Sequence, residues 1–152
     1  MNELLEQIRV AFATFERPAI VTICEPDGEC IDCLWTDDDL RGKTSSVILD
    51  SDDLVFATLP LDCLNADAFL HYFPAIAQRS LVPSGIHAAE AVAWNLAREI
   101  HPDDPGLTPS MKPKLSMRQL SLFQSYLVAL SGVGLSELYT EELGKTRRRW
   151  DC

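Results

Sequence analysis

The chain has 152 residues, 47% of them hydrophobic, and a formal net charge of -10. That length and apolar content describe one domain able to bury roughly two thirds of its unfolded surface, and they exclude an intrinsically disordered chain. So negative a charge disfavours nonspecific attachment to nucleic acid or anionic lipid, and no apolar run approaches a membrane span.

Met1-Asn2-Glu3-Leu4-Leu5-Glu6 has two acids where a secretory signal needs a basic region, so a cytoplasmic protein is expected. Leu4, Leu5, Ile8, Ala11, Phe12 and Phe15 recur at helical spacing and predict an amphipathic helix ending before Pro18. From residue 19 to residue 62 the signals are short and mixed. Ile20-Val21-Thr22-Ile23 and Val47-Ile48-Leu49 read as strands, Glu25-Pro26-Asp27-Gly28 as a turn, and Thr36 with Asp39 as a cap for a short helix.

Asn65 is an N-cap for a helix through Phe69 and Tyr72. Pro74 lacks an amide donor and clashes with the carbonyl four residues back, which predicts a kink near Leu70 or a restart with Pro74 in the first turn. Ser84 caps the next helix, with a stripe of Ala89, Val92, Leu96 and Ile100, and a loop runs from His101 to Lys114. Ser116 and Gln119 form a capping box for a helix burying Leu120, Phe123, Leu127 and Leu130, which Gly132 and Gly134 end. A short helix from Ser136 to Gly144 precedes a basic tail, residues 145–152. The expected fold is mainly α, a single helical domain over residues 1–152 with at most a short β element in residues 19–62.

The helix order, Trp35 followed by Asp37, Asp38 and Asp39, the run Ala68-Phe69-Leu70-His71-Tyr72-Phe73-Pro74-Ala75 and the Ser116 capping box resemble a bacterial domain-of-unknown-function family. Its hallmark runs Phe-x-Tyr-Tyr-Leu-Pro-Ala, and here Phe73 stands where the family has Leu. The family's activity is unassigned, so the resemblance implies a fold and no chemistry. Phe69, Tyr72, Phe73 and Pro74 are its motif positions and, with Ile76, are expected at the centre of the core.

Four constellations carry chemical potential. Twelve acids and only two bases lie between Glu25 and Asp67, which accounts for the whole charge imbalance. Neither Asp37-Asp38-Asp39 nor Asp50-Ser51-Asp52-Asp53 has the glycine and glutamate of a calcium loop. Asp37, Asp38, Asp39, Asp50, Asp52 and Asp53 are therefore candidates for binding a basic protein partner rather than a cation. The five cysteines, Cys24, Cys30, Cys33, Cys63 and Cys152, are odd in number, and reduced thiols are expected. Cys24, Cys30 and Cys33 lack an adjacent fourth ligand at standard spacing, so no metal or other cofactor is expected; the alternative is a site completed by Cys63, His71 or His87. The Cys30-x-x-Cys33 pair shows no basic or helix-N-terminal setting that would lower a thiol pKa.

His71 beside Tyr72 offers a base only if a thiol such as Cys63 approaches it, and the glycine-framed nucleophile of acyl transfer is missing, so no catalytic residue is expected. Lys145, Arg147, Arg148, Arg149 and Trp150 can grip phosphates, or simply complement a helix C-terminus. These readings favour a small protein-binding or regulatory module, of the immunity or antitoxin type. The alternative is an enzyme or metal-binding protein using Cys24, Cys30 and Cys33 with His71.

Overall fold

The computed structural model describes residues 2–24, 30–49, 61–97 and 107–152. Among them are α1 (Asn2–Phe12), α2 (Ile31–Leu40), α3 (Ser45–Leu49), α4 (Ala66–Ser80), α5 (Ile86–Ala97), α6 (Leu107–Met111), α7 (Met117–Leu130) and α8 (Glu137–Arg149). Three 3-10 turns, Leu61–Cys63, Pro83–Gly85 and Lys112–Lys114, lead into or join these helices. The mainly helical class is as expected.

Helix α4 is the axis of the fold. Every residue from Ala68 to Ala77 is buried, and α1, α3, α5 and α6 all pack against it. Asn65 caps its N-terminus, the side chain accepting the Ala68 N–H at 2.9 Å. The helix runs unbroken through Pro74 instead of restarting there. Pro74 cannot donate to the Leu70 carbonyl, and the burial of the residues around it in α4 offsets that lost bond. Phe73 is the hub of the aromatic core. Its ring lies 4.7 Å from Phe12 of α1, 4.8 Å from Phe123 and 5.0 Å from Tyr126 of α7, and Phe123 in turn lies 4.4 Å from Trp150. Each such ring pair adds about 0.5–1.5 kcal/mol beyond its area burial.

Several local expectations are corrected. Val47-Ile48-Leu49 is helical, because the Thr44 hydroxyl accepts the Val47 N–H at 3.4 Å and opens α3, and among the described residues no neighbouring strand is available to reward β-branched residues. Of the strand expected at Ile20–Ile23 there remains one isolated antiparallel bridge, Thr22 to Leu64. Thr36 caps nothing and is buried inside α2. Ser84 lies in the Pro83–Gly85 turn, and α5 starts at Ile86. The expected loop contains α6 and the turn Lys112–Lys114; its earlier part, like Ile100 and the turn at Asp27-Gly28, lies outside the described residues. Within α7 the capping box is formed as expected, while Leu120 is only half-buried.

The basic tail is mostly not a tail. Helix α8 continues to Arg149, because Leu143, Thr146 and Trp150 extend its buried stripe. Trp150 is fully buried, its indole N–H donating to the Thr108 hydroxyl at 3.3 Å. Arg149 donates to the Ala97 carbonyl at 3.0 Å, which ties α8 to the end of α5.

Candidate functional site

The strongest chemical constellation lies where the 20–24 segment, the start of α2 and the Leu61–Cys63 turn meet. Asn65 builds that junction. Its side-chain amide donates to the Ile20 carbonyl at 2.7 Å and to that of Thr22 at 3.3 Å, and its backbone N–H donates to the Val21 carbonyl at 3.0 Å. The Ile23 N–H then donates to the Cys63 carbonyl at 2.8 Å. The segment is pinned alongside residues 63–65, which carries Cys24 into reach of α2.

Cys30 is the N-cap residue of α2 and Cys33 lies in its first turn. The sulfurs of Cys24, Cys30 and Cys33 all fall within 4.8 Å of one another. Cys63, buried like Cys33, places its thiol in hydrogen-bonding contact with the Cys33 side chain. Three sulfurs thus gather at the start of α2, Cys63 adds a fourth thiol beside Cys33 but outside that group, and all four are free thiols.

Their acidities diverge. The Cys24 thiol is pushed up to about 12, first by its hydrogen bond with Cys33 and then by burial. Burial pushes Cys33 up to about 11. Cys30 falls below the ordinary thiol value, because the backbone N–H of Cys33 at the helix N-terminus and then the Cys33 thiol stabilise its anion. The expectation that this pair lacks a helix-N-terminal setting is therefore corrected. The sequence hides it because Cys is not a usual capping residue and the residues before it carry no helical period.

His71 does not join the cluster. Its Nδ1 lies 2.7 Å from the Phe15 carbonyl oxygen, which can only accept, so Nδ1 carries the proton. Nε2 accepts the Ser45 N–H at 3.2 Å. Both nitrogens are spent on backbone groups, which leaves no lone pair for a metal or a thiol, and burial lowers the histidine pKa. A cleft of about 200 Å³ opens beside it, lined in part by Arg9, Phe12, Ser45 and Pro74. Tyr72 is fully buried, donating to the Lys43 carbonyl at 2.8 Å and accepting from Arg17 Nε at 3.1 Å, while Arg17 also donates to the Leu40 carbonyl at 3.2 Å. This lock fixes the C-terminal end of α2 against α4.

The acidic candidates divide. Asp37, Asp38 and Asp39 lie on α2, where Arg41 pairs with Asp37 at 3.4 Å and with Asp38 at 3.3 Å. Such exposed pairs are worth about 0–1 kcal/mol and leave the carboxylates accessible. Asp50, Asp52 and Asp53 lie outside the described residues. The composition-based reading missed the apolar half of this surface: Ile31, Leu34 and Trp35 are 57%, 45% and 62% exposed. Their spacing with Asp38 was the available signal, since positions i, i+3, i+4 and i+7 share one helix face. At the other end of the chain, Lys145 pairs with Glu142 at 2.7 Å and Trp150 is buried, so no aromatic is left there for a base to stack on.

No protein-family model matches the chain, and neither a curated protein nor a solved structure does.

Proposed function

We propose that the protein is a small protein-recognition module whose contact element is α2. The observation that carries this is the inverted amphipathicity of that helix. It turns Ile31, Leu34 and Trp35 outward and buries Cys33, Thr36 and Leu40. A helix that folds only for its own domain buries its largest apolar residues. An exposed Trp with two aliphatic neighbours and a rim of carboxylates has instead the make-up of an interface hot spot. Ile20 and Ile23, also exposed, widen the patch on the adjoining segment.

The partner that fits is a protein with an apolar groove edged by Lys or Arg, engaged by an exposed helix face. Asp37, Asp38 and Asp39 then steer association, and Ile31, Leu34 and Trp35 hold the complex. Neutralising a basic partner in the manner of an immunity or antitoxin protein is one use of such a surface.

The test is co-purification from the native host, identification of the bound protein, and binding kinetics with that partner. Trp35→Ala is expected to weaken Kd by at least about 30-fold, a loss of about 2 kcal/mol or more, mainly through faster dissociation. Asp38→Lys with Asp39→Lys is expected to slow association, most at low salt. Melting temperatures should barely change, because these side chains are exposed. Binding indifferent to both changes would sink the reading.

A further inference from the structure

We propose that Cys24, Cys30, Cys33 and Cys63 hold one zinc ion. The inference is independent of what α2 recognises and rests on how the four sulfurs are brought together.

A tetrahedral zinc–thiolate centre has Zn–S distances of about 2.3 Å, which sets its sulfurs about 3.8 Å apart. The three sulfurs of Cys24, Cys30 and Cys33 already lie within 4.8 Å of one another, so a small contraction brings them to the corners of one tetrahedron. Cys63 supplies the fourth corner: it is buried, its thiol interacts with that of Cys33 and its backbone is bonded to Ile23, next to Cys24, so its sulfur, outside the 4.8 Å group of the other three, has only to turn inward to join them. A Cys-x-x-Cys pair opening a helix, with two further cysteines from separate segments, is a closed structural ligand set with no open position for a substrate. The first-turn amides of α2 face the Cys30 sulfur and offset part of the negative charge that four thiolates bring to one divalent cation.

The fold gives the ion work to do. Helix α2 buries only Cys33, Thr36 and Leu40, too little apolar surface to hold its N-terminal half against the domain. The Arg17–Tyr72 lock secures its C-terminal end. Zinc would secure the other end by tying Cys30 and Cys33 to the 20–24 segment and to the turn before α4. Because the four thiols bind as thiolates, zinc binding releases protons to solvent and its free energy adds to folding.

The experiment uses the full chain purified under reducing conditions. Elemental analysis is expected to find one zinc per chain, and zinc-edge X-ray absorption four sulfur neighbours at about 2.3 Å. The chelated protein, titrated with cobalt(II) alone, should show thiolate-to-cobalt charge transfer and the visible bands of a tetrahedral ion. Cys63→Ser should replace one sulfur neighbour with oxygen, whereas Cys152→Ser should leave all four. Should Cys63→Ser fail to fold, the sulfur count in the wild-type protein and the alkylation of Cys24 and Cys30, slow before chelation and fast after it, still decide. Zinc well below one per chain without a tetrahedral cobalt spectrum would overturn the proposal. So would three sulfur neighbours in the wild-type protein, a Cys30–Cys33 disulfide under reducing conditions, or bound iron with sulfide.

Discussion

At the scale of single residues, two polar side chains are spent on architecture. Asn65 caps α4 with its carbonyl oxygen and clasps the 20–22 segment with its amide, so one side chain both starts the central helix and places Cys24. His71 bridges α1's exit and α3 as a neutral imidazole, accepting from Ser45 and donating to Phe15. Burial lowers its folded pKa below the unfolded value of about 6.5. The unfolded chain thus takes up a proton that the folded chain resists, so the stability His71 contributes is complete above about pH 6.5 and is lost as pH falls toward the folded pKa. Urea denaturation at about pH 7.5 and about pH 5.5 should show a decline that His71→Gln, neutral throughout, flattens. An unchanged slope in that variant would mean that other groups set the acid sensitivity.

At the scale of elements, the junction between α4 and α5 is as constrained as the helices it joins. The Gly85 N–H donates to the Val82 carbonyl at 2.8 Å, closing a turn so tight that a Cβ at Gly85 would collide with the Arg79 carbonyl oxygen. Because the obstacle is backbone, relief requires α4 and α5 to shift apart. Gly85→Ala should therefore cost about 1–3 kcal/mol, read as a lower denaturation midpoint, although alanine usually favours helical regions. Helix α2 is the opposite case. Its few buried residues leave its position to the Arg17–Tyr72 lock at one end and the cysteine cluster at the other, so the proposed recognition face and the proposed zinc share one helix.

At the scale of the whole molecule, stability depends on contacts between distant parts of the chain. Phe73 in α4 touches Phe12 near the N-terminus and Phe123 in α7, and Phe123 meets Trp150 near the C-terminus. Trp150 also bonds Thr108, and its carbonyl accepts from Gln124 at 2.6 Å. Trp150→Ala should cost about 3–5 kcal/mol, a large share of the roughly 5–15 kcal/mol typical of a domain. Loss of cooperative unfolding in that variant is the expected sign, and a change below about 1 kcal/mol would show that the end of α8 is not part of the core.

Sequence alone determined what depends on neighbours a few positions apart. The helical class, the Asn65 cap, the Ser116–Gln119 capping box and the burial of Phe69, Tyr72, Phe73 and Ile76 follow from hydrophobic period and cap chemistry, which act within a turn or two. Tertiary structure decided the rest. Val47–Leu49 became helix because the Thr44 hydroxyl opens α3 and no strand among the described residues lies beside it, and residues 145–149 stayed in α8 because Trp150 found a buried site. Cys63 reached Cys33 across thirty positions of chain because α2 packs on the Leu61–Cys63 turn, while Asn65 and the Thr22–Leu64 bridge bring Cys24 alongside. Local spacing carries no information about such a meeting, since its geometry is set by the packing of α2 on the Leu61–Cys63 turn and not by any interval in the sequence.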